Sequence, residues 1–181
     1  MRLSTIVILG LLFTSLPAFS QTDSIIKELK ETIQKTSFFD RQKVARIDSL
    51  RTLMKEVDDK LQEYQLTQDL FQEYNVFNQD SAFAYGLRSR RLAVALNDEG
   101  LIADSFLDLA DINVTAGMYK EALDFLEEVD PEKAPEYIHA YYYTLAGRLY
   151  TDMAEYSNLE SFSDEYNELA VNYYSIALSL A

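Results

Sequence analysis

The stretch from Ala103 to Val129, ADSFLDLADINVTAGMYKEALDFLEEV, constrains the fold more than any other part of the chain. Its apolar residues recur at helical spacing on both sides of Gly117, which predicts two short amphipathic helices joined by a tight turn. Gly117 suits the junction because glycine enters the left-handed conformation that closes a helix C-terminus without strain. Ala110 and Ala122 are small enough to let the two helices approach closely, while Phe106, Leu109 and Leu126 fill the space between them.

With Gly117 counted as the fifteenth position of a repeat, Phe106 is the fourth, Leu109 the seventh, Ala110 the eighth, Tyr119 the seventeenth, Ala122 the twentieth and Leu126 the twenty-fourth. In that register the stretch resembles a tetratricopeptide repeat. Setting Ala82 at the twentieth position puts Leu66 at the fourth and Leu70 at the eighth, and Leu66 to Ala82 is 16 residues, as is Phe106 to Ala122. A degenerate first pair is therefore expected over residues 61–96 and a second pair over 99–129. A third covers 136–181, with Tyr143 at the fourth position, Ala146 and Gly147 at the seventh and eighth, and Ala170 at the twentieth. Tyr143 and Ala170 lie 27 residues apart rather than 16, which places an insertion of 11 around residues 157–163, before a last helix expected from about Asp164. Such an insertion is either a surface loop or an addition to the binding side.

Ahead of the repeats, Ile25, Ile26, Leu29 and Ile33 predict a helix over residues 23–35, and Val44, Ile47, Leu50, Leu53, Met54 and Val57 a second over 40–57. These two are expected to cap the array, giving eight helices in all. The resemblance implies an all-α fold, a tetratricopeptide-like right-handed helical solenoid of antiparallel helix pairs. Composition agrees: 181 residues with only 5 glycines and 3 prolines suit one helical domain over residues 21–181. Residues 1–20 have the form of a signal peptide, with Arg2 at the start, an apolar run from Ile6 to Phe13, and Ala18-Phe19-Ser20 before a cleavage point at Gln21. The apolar run is shorter than the roughly 20 residues a span needs. The mature chain is therefore expected to be exported and periplasmic, with no membrane contact of its own.

Charge is divided unevenly. Residues 21–91 hold 12 basic and 12 acidic side chains, whereas residues 92–181 hold 18 acidic ones and only Lys120, Lys133 and Arg148 as cations. That balance disfavours nucleic acid and anionic membrane and favours basic partners or cations. Arg41, Lys43, Arg46, Arg51 and Lys55 form a basic stripe, but Asp40, Asp48 and Glu56 interrupt it, as on a solvated helix face. With no cysteine there is neither a disulfide framework nor a thiolate site.

Enzymatic activity is not expected. His139 stands among tyrosines without a nucleophile motif, and no phosphate loop or paired-histidine metal signature occurs in the sequence. Asp104, Asp108 and Asp111 share a helix face at spacings of four and three, which reads as solvated surface rather than a calcium site. No cofactor and no metal are expected.

Binding has more support. The first helix of each tetratricopeptide pair lines a concave groove, and counting along the three pairs yields candidate groove residues Tyr64, Phe71, Tyr74, Asp111, Tyr141, Thr144, Arg148 and Asp152. Asp104, Leu107, Val114 and Thr115 fall at further groove positions. Aromatic rings there would stack on an extended peptide or a sugar, and Arg148 would pair with a carboxylate. Phe71 and Tyr74 serve equally well as packing against the second N-terminal helix.

A wider resemblance rests on a Thr-Ile helix after Asp23, Arg46-Ile47-Asp48-Ser49-Leu50, Leu70-Phe71-Gln72-Glu73-Tyr74, Asp80-Ser81-Ala82 and Gly117-Met118-Tyr119-Lys120-Glu121-Ala122-Leu123. Over residues 21–181 the chain is similar to the N-terminal half of a Bacteroidetes-type family of regulators. These carry a signal sequence, tetratricopeptide repeats, a membrane span and a C-terminal domain to which a regulatory, DNA-binding role is ascribed. The resemblance implies a sensing or interaction module that binds a protein, a peptide or a small ligand, here in a truncated form without span or output domain. The alternative is a structural or oligomerising scaffold. Val171, Tyr174, Ile176, Ala177, Leu178 and Leu180 spread over more than one face of the last helix, so self-association through it is expected.

Overall fold

The computed structural model describes residues 18–180, with the side chains of all but 18–23 and Ser37. The described residues form seven α-helices and no strand: α1 (Ala18–Met54), α2 (Lys60–Asn75), α3 (Gln79–Leu96), α4 (Glu99–Thr115), α5 (Tyr119–Glu127), α6 (Glu136–Tyr156) and α7 (Glu160–Ser179). No helix among the described residues is long and apolar enough to cross a membrane. Residues 1–17 of the expected signal peptide lie outside the described part.

Two expectations about helix boundaries are corrected. The N-terminal segment is one helix rather than two, so the described residues hold seven helices and not eight. Nothing between Lys35 and Asp40 interrupts the ladder: there is no proline or glycine, and the hydroxyls of Thr32 and Thr36 donate back to the carbonyls of Glu28 and Thr32 at 2.8 and 3.4 Å. The second correction concerns the insertion. Only residues 157–159 separate α6 from α7, so most of the extra chain is helix and extends the last pair. Ser157 folds the short link, its hydroxyl accepting from the Leu159 amide at 3.3 Å, and Ser163 then donates to the Ala154 carbonyl at 3.1 Å.

The chain divides into two units at Arg46/Ile47. In the first unit Ile25, Leu29, Ile33, Phe38 and Phe39 are exposed. The second unit contains two clusters of buried side chains. Ile47, Leu70, Phe71, Tyr74, Ala82 and Ile112 form one, with Leu50 and Met54 against it. The larger one joins α4, α5 and α6 through Phe106, Leu107, Ala110, Val114, Ala122, Leu126, Ile138, Leu145, Ala146 and Leu149. Ala82, Ala110, Ala122 and Ala146 are fully buried, as the repeat register requires.

Turn chemistry sets the spacing. Asp59, Asn78 and Asp98 cap α2, α3 and α4, each side chain accepting the backbone amide three residues on at 2.8, 2.8 and 3.0 Å. Gly117 closes α4 with φ 73°, and Asn97 closes α3 in the same left-handed region at φ 54°. Pro135 precedes α6. Consecutive helices from α2 to α7 pack on one another, and α4 also packs on α6.

Candidate functional site

Helix α4 places Asp104, Asp108, Asp111 and Thr115 on one face at intervals of four, three and four residues. Helices α2 and α6 supply the side chains that meet this face. From α2, the Tyr64 hydroxyl donates to Asp104 Oδ2 at 3.2 Å and accepts from Gln68 Nε2 at 2.9 Å, while Gln68 Nε2 also reaches Asp104 Oδ2 at 3.3 Å. One stage further along, Asn75 Nδ2 donates to Asp111 Oδ2 at 3.4 Å. From α6, Arg148 Nη1 donates to Asp111 Oδ1 at 2.6 Å and Nη2 to Thr115 Oγ1 at 2.9 Å. The Arg148 Nε lies 3.8 Å from Asp152 Oδ2.

Asp108 sits in the middle of this strip with 4% of its surface exposed, and its Oδ2 has no hydrogen-bond partner. Burial pushes its carboxyl up to about 8, the nearby charge of Asp104 adding to the rise, with a hydrogen bond from Gln68 opposing it and Asp111 contributing last. Asp108 is therefore largely protonated at neutral pH. Asp104 is raised in the same direction by burial, against the stabilising hydrogen bonds from Tyr64 and Gln68. The Tyr141 phenol is pushed strongly upward by burial and by the carboxylates of Asp111, Asp108 and Asp104, against the lowering effect of Arg148. One polar strip thus spans α2, α4 and α6, with an unsatisfied acid at its centre.

The candidate groove residues divide into two groups. Asp111, Tyr141, Arg148 and Asp152 meet on the strip. Tyr64, Phe71 and Tyr74 do not line an open groove: they are 4%, 1% and 6% exposed. Tyr64 presents only its hydroxyl to the strip. Phe71 and Tyr74 fill the cluster around Ile47, where Tyr74 stacks on Tyr85 at 5.4 Å under the Arg51 guanidinium. This corrects their assignment as stacking platforms. The physical reason is that the last turns of α1 cover that face of α2 with Ile47, Leu50 and Met54. Leu107 and Val114 are likewise buried, and Thr144 is exposed, its hydroxyl donating to the Ala140 carbonyl at 2.7 Å.

Gln68 and the burial of Asp108 were not anticipated. The three-aspartate spacing is consistent with solvated surface, whereas in the structure Asp108 is buried and takes a hydrogen bond from Gln68 of α2. Arg148 is also changed in character, since Asp111 and Asp152 already pair with it and a ligand carboxylate would compete with them. His139 makes a structural contact, its Nε2 lying 2.9 Å from the Ala134 carbonyl oxygen. Among the described residues no group of three or more histidine, cysteine, aspartate or glutamate side chains is arranged to hold a metal ion.

With this geometry in view, comparison with known proteins adds one match. Residues 33–181 match the family described as SusR N-terminal TPR domain. Nothing among curated proteins or solved structures matches the chain.

Proposed function

The chain belongs to the family of SusR N-terminal TPR domains, and from that premise we propose that it is the exported, non-catalytic sensing module of a membrane-linked regulator. The polar strip shared by α2, α4 and α6 is its ligand face. One observation carries this reading: Arg148, Asp111 and Asp152 form a partly exposed ion-paired cluster on the strip that also holds the buried Asp108, whose Oδ2 lacks a partner. Because Asp108 is protonated and Arg148 is already paired, the strip suits a ligand rich in hydrogen-bonding groups rather than a carboxylate. Tyr141, 36% exposed and feeling the charge of all three aspartates, is the side chain best placed to meet it.

The test is ligand-dependent thermal stabilisation of the chain across peptides and small hydrophilic compounds, followed by isothermal titration. A ligand that stabilises the parent chain and no longer binds Tyr141→Ala, with that variant still folded, supports the sensing role. Ligand binding that Tyr141→Ala and Asp108→Asn leave unchanged removes the strip from the mechanism.

A second reading has its own observation. Val171 and Leu178 on α7, and Leu180 just past its end, are 66%, 78% and 46% exposed, an apolar surface suited to self-association. A concentration-dependent dimer without ligand-dependent stabilisation would favour a scaffold role. In that case the strip is structural.

A further inference from the structure

The link between α6 and α7 creates an aromatic recess that the polar strip does not use. Tyr119 at the start of α5, Met153 and Tyr156 at the end of α6, Ser157 just past it, and Phe162 and Tyr166 on α7 line an open recess of about 270 Å3. That is near the lower limit of small-molecule sites, which run from about 300 to 1,000 Å3. Tyr119 and Tyr156 meet edge to face, with centroids 6.0 Å apart and planes at 71°, so they form two walls near a right angle. Phe162 and Tyr166, 6.3 Å apart and inclined by 30°, form a further wall. Tyr156 is 79% exposed and Phe162 47%, which leaves the recess open to solvent.

The lining decides what chemistry fits. Apart from the phenols its one hydroxyl is Ser157, and that group is engaged in the turn with Leu159. A ligand that depends on many hydrogen bonds finds few partners here. Ring faces carry negative quadrupoles and attract a cation that needs no hydrogen bond. The surroundings have the same sign: residues 92–181 contain 18 acidic side chains and three cations, and each of the three is already paired, Lys120 with Asp124, Lys133 with Asp130 and Arg148 with Asp111.

We propose that the recess formed by Tyr119, Tyr156, Phe162 and Tyr166 is a binding site for a small organic ammonium ion, separate from the polar strip and independent of its role. The added chain around residues 157–163 supplies Phe162 and lengthens α7 at its start, so the extension has a use: it builds this wall.

Choline is the probe, and 3,3-dimethyl-1-butanol, its neutral isostere, is the control, both titrated into the full chain by calorimetry with ligand-observed NMR. Choline should bind roughly tenfold or more tighter than the isostere, as a cation over several ring faces implies. Added sodium chloride should weaken it. Tyr156→Ala and Phe162→Ala should each weaken choline by about fivefold or more, Tyr156→Phe should retain it, and Val171→Ala on the outer face of α7 should leave it unchanged. Circular dichroism of each variant separates loss of the site from loss of the fold, and the exposed position of Tyr156 makes Tyr156→Ala the safer of the two truncations. Equal binding of the two probes, no saturable choline binding in the tens of millimolar, indifference to both ring truncations, or binding of a lysine-rich peptide without any binding of choline would each overturn the proposal.

Discussion

Helices α4 and α5 meet through Phe106, Ala110, Ala122 and Leu126, none more than 6% exposed, whereas α6 and α7 meet through rings. Tyr143 and Tyr150 of α6 stack on Tyr173 of α7 at 6.3 and 5.5 Å, Tyr150 touches Tyr166, and α7 buries only Ala170 completely. Both pairs keep the same register of small residues. They differ in how their neighbours are held: the central pair is covered by helices on both sides, while α7 packs chiefly on α6. The small-residue positions therefore set where two helices cross. The depth of burial around the crossing sets how much a change there costs.

The largest effect separating the two pairs is expected from equal insertions. Ala122→Leu forces a large side chain into a fully buried site between packed helices and should destabilise the domain by about 3 kcal/mol in chemical denaturation. A similar loss from an exposed helix position would show that the central pair is no more rigid than its surface.

The central pair also hides an acid, and the last pair does not. The Asp108 carboxyl is raised in the folded state, so its favourable contribution is complete below the unfolded value near 4 and is lost as pH rises to about 8. Asp108→Asn should match the parent near pH 4 and exceed it in stability by about 2 kcal/mol at pH 9. Denaturant midpoints across that range check the sign, and a constant difference would place the titrating group elsewhere.

Gly147→Leu tests the final pair. A Cβ at Gly147 would lie 2.8 Å from the Tyr174 ring, but that ring is 41% exposed and can swing outward. The expected loss is about 1–2 kcal/mol, smaller than at Ala122. Comparing the two m-values shows whether the last pair has instead detached. Smallest is Asp98→Ala, which removes the amide acceptor at the start of α4 and should cost about 1 kcal/mol. Leu159, at the corresponding position before α7, makes no such side-chain cap.

Local chemistry was legible. The end of α3 at Leu96 and the start of α6 at Glu136 coincide with the bounds of the repeat pairs read from sequence. Gly117 and the buried alanines likewise fix the repeat register. What sequence could not supply was which neighbour covers a face. Phe71 and Tyr74 occupy groove positions by counting, yet the last turns of α1 close over them. Asp108 has the spacing of a surface aspartate, and only the juxtaposition with Gln68 and Tyr64 shows it to be interior. Residues 36–39 and 160–163 read as a linker and a loop by composition and are helix, because no proline or glycine prevents the ladder from continuing.

The ring contacts between α6 and α7 give the molecule an optical signature of its own assembly. The chain has no tryptophan and 13 tyrosines, so its near-ultraviolet circular dichroism comes mainly from phenol rings held in fixed asymmetric surroundings. The parallel stack of Tyr150 on Tyr173, planes 6° apart, exists only while α7 is docked. Repeat arrays open from their ends by local steps. Loss of that band at a denaturant concentration where far-ultraviolet helicity is still intact would time the release of the last helix without any label.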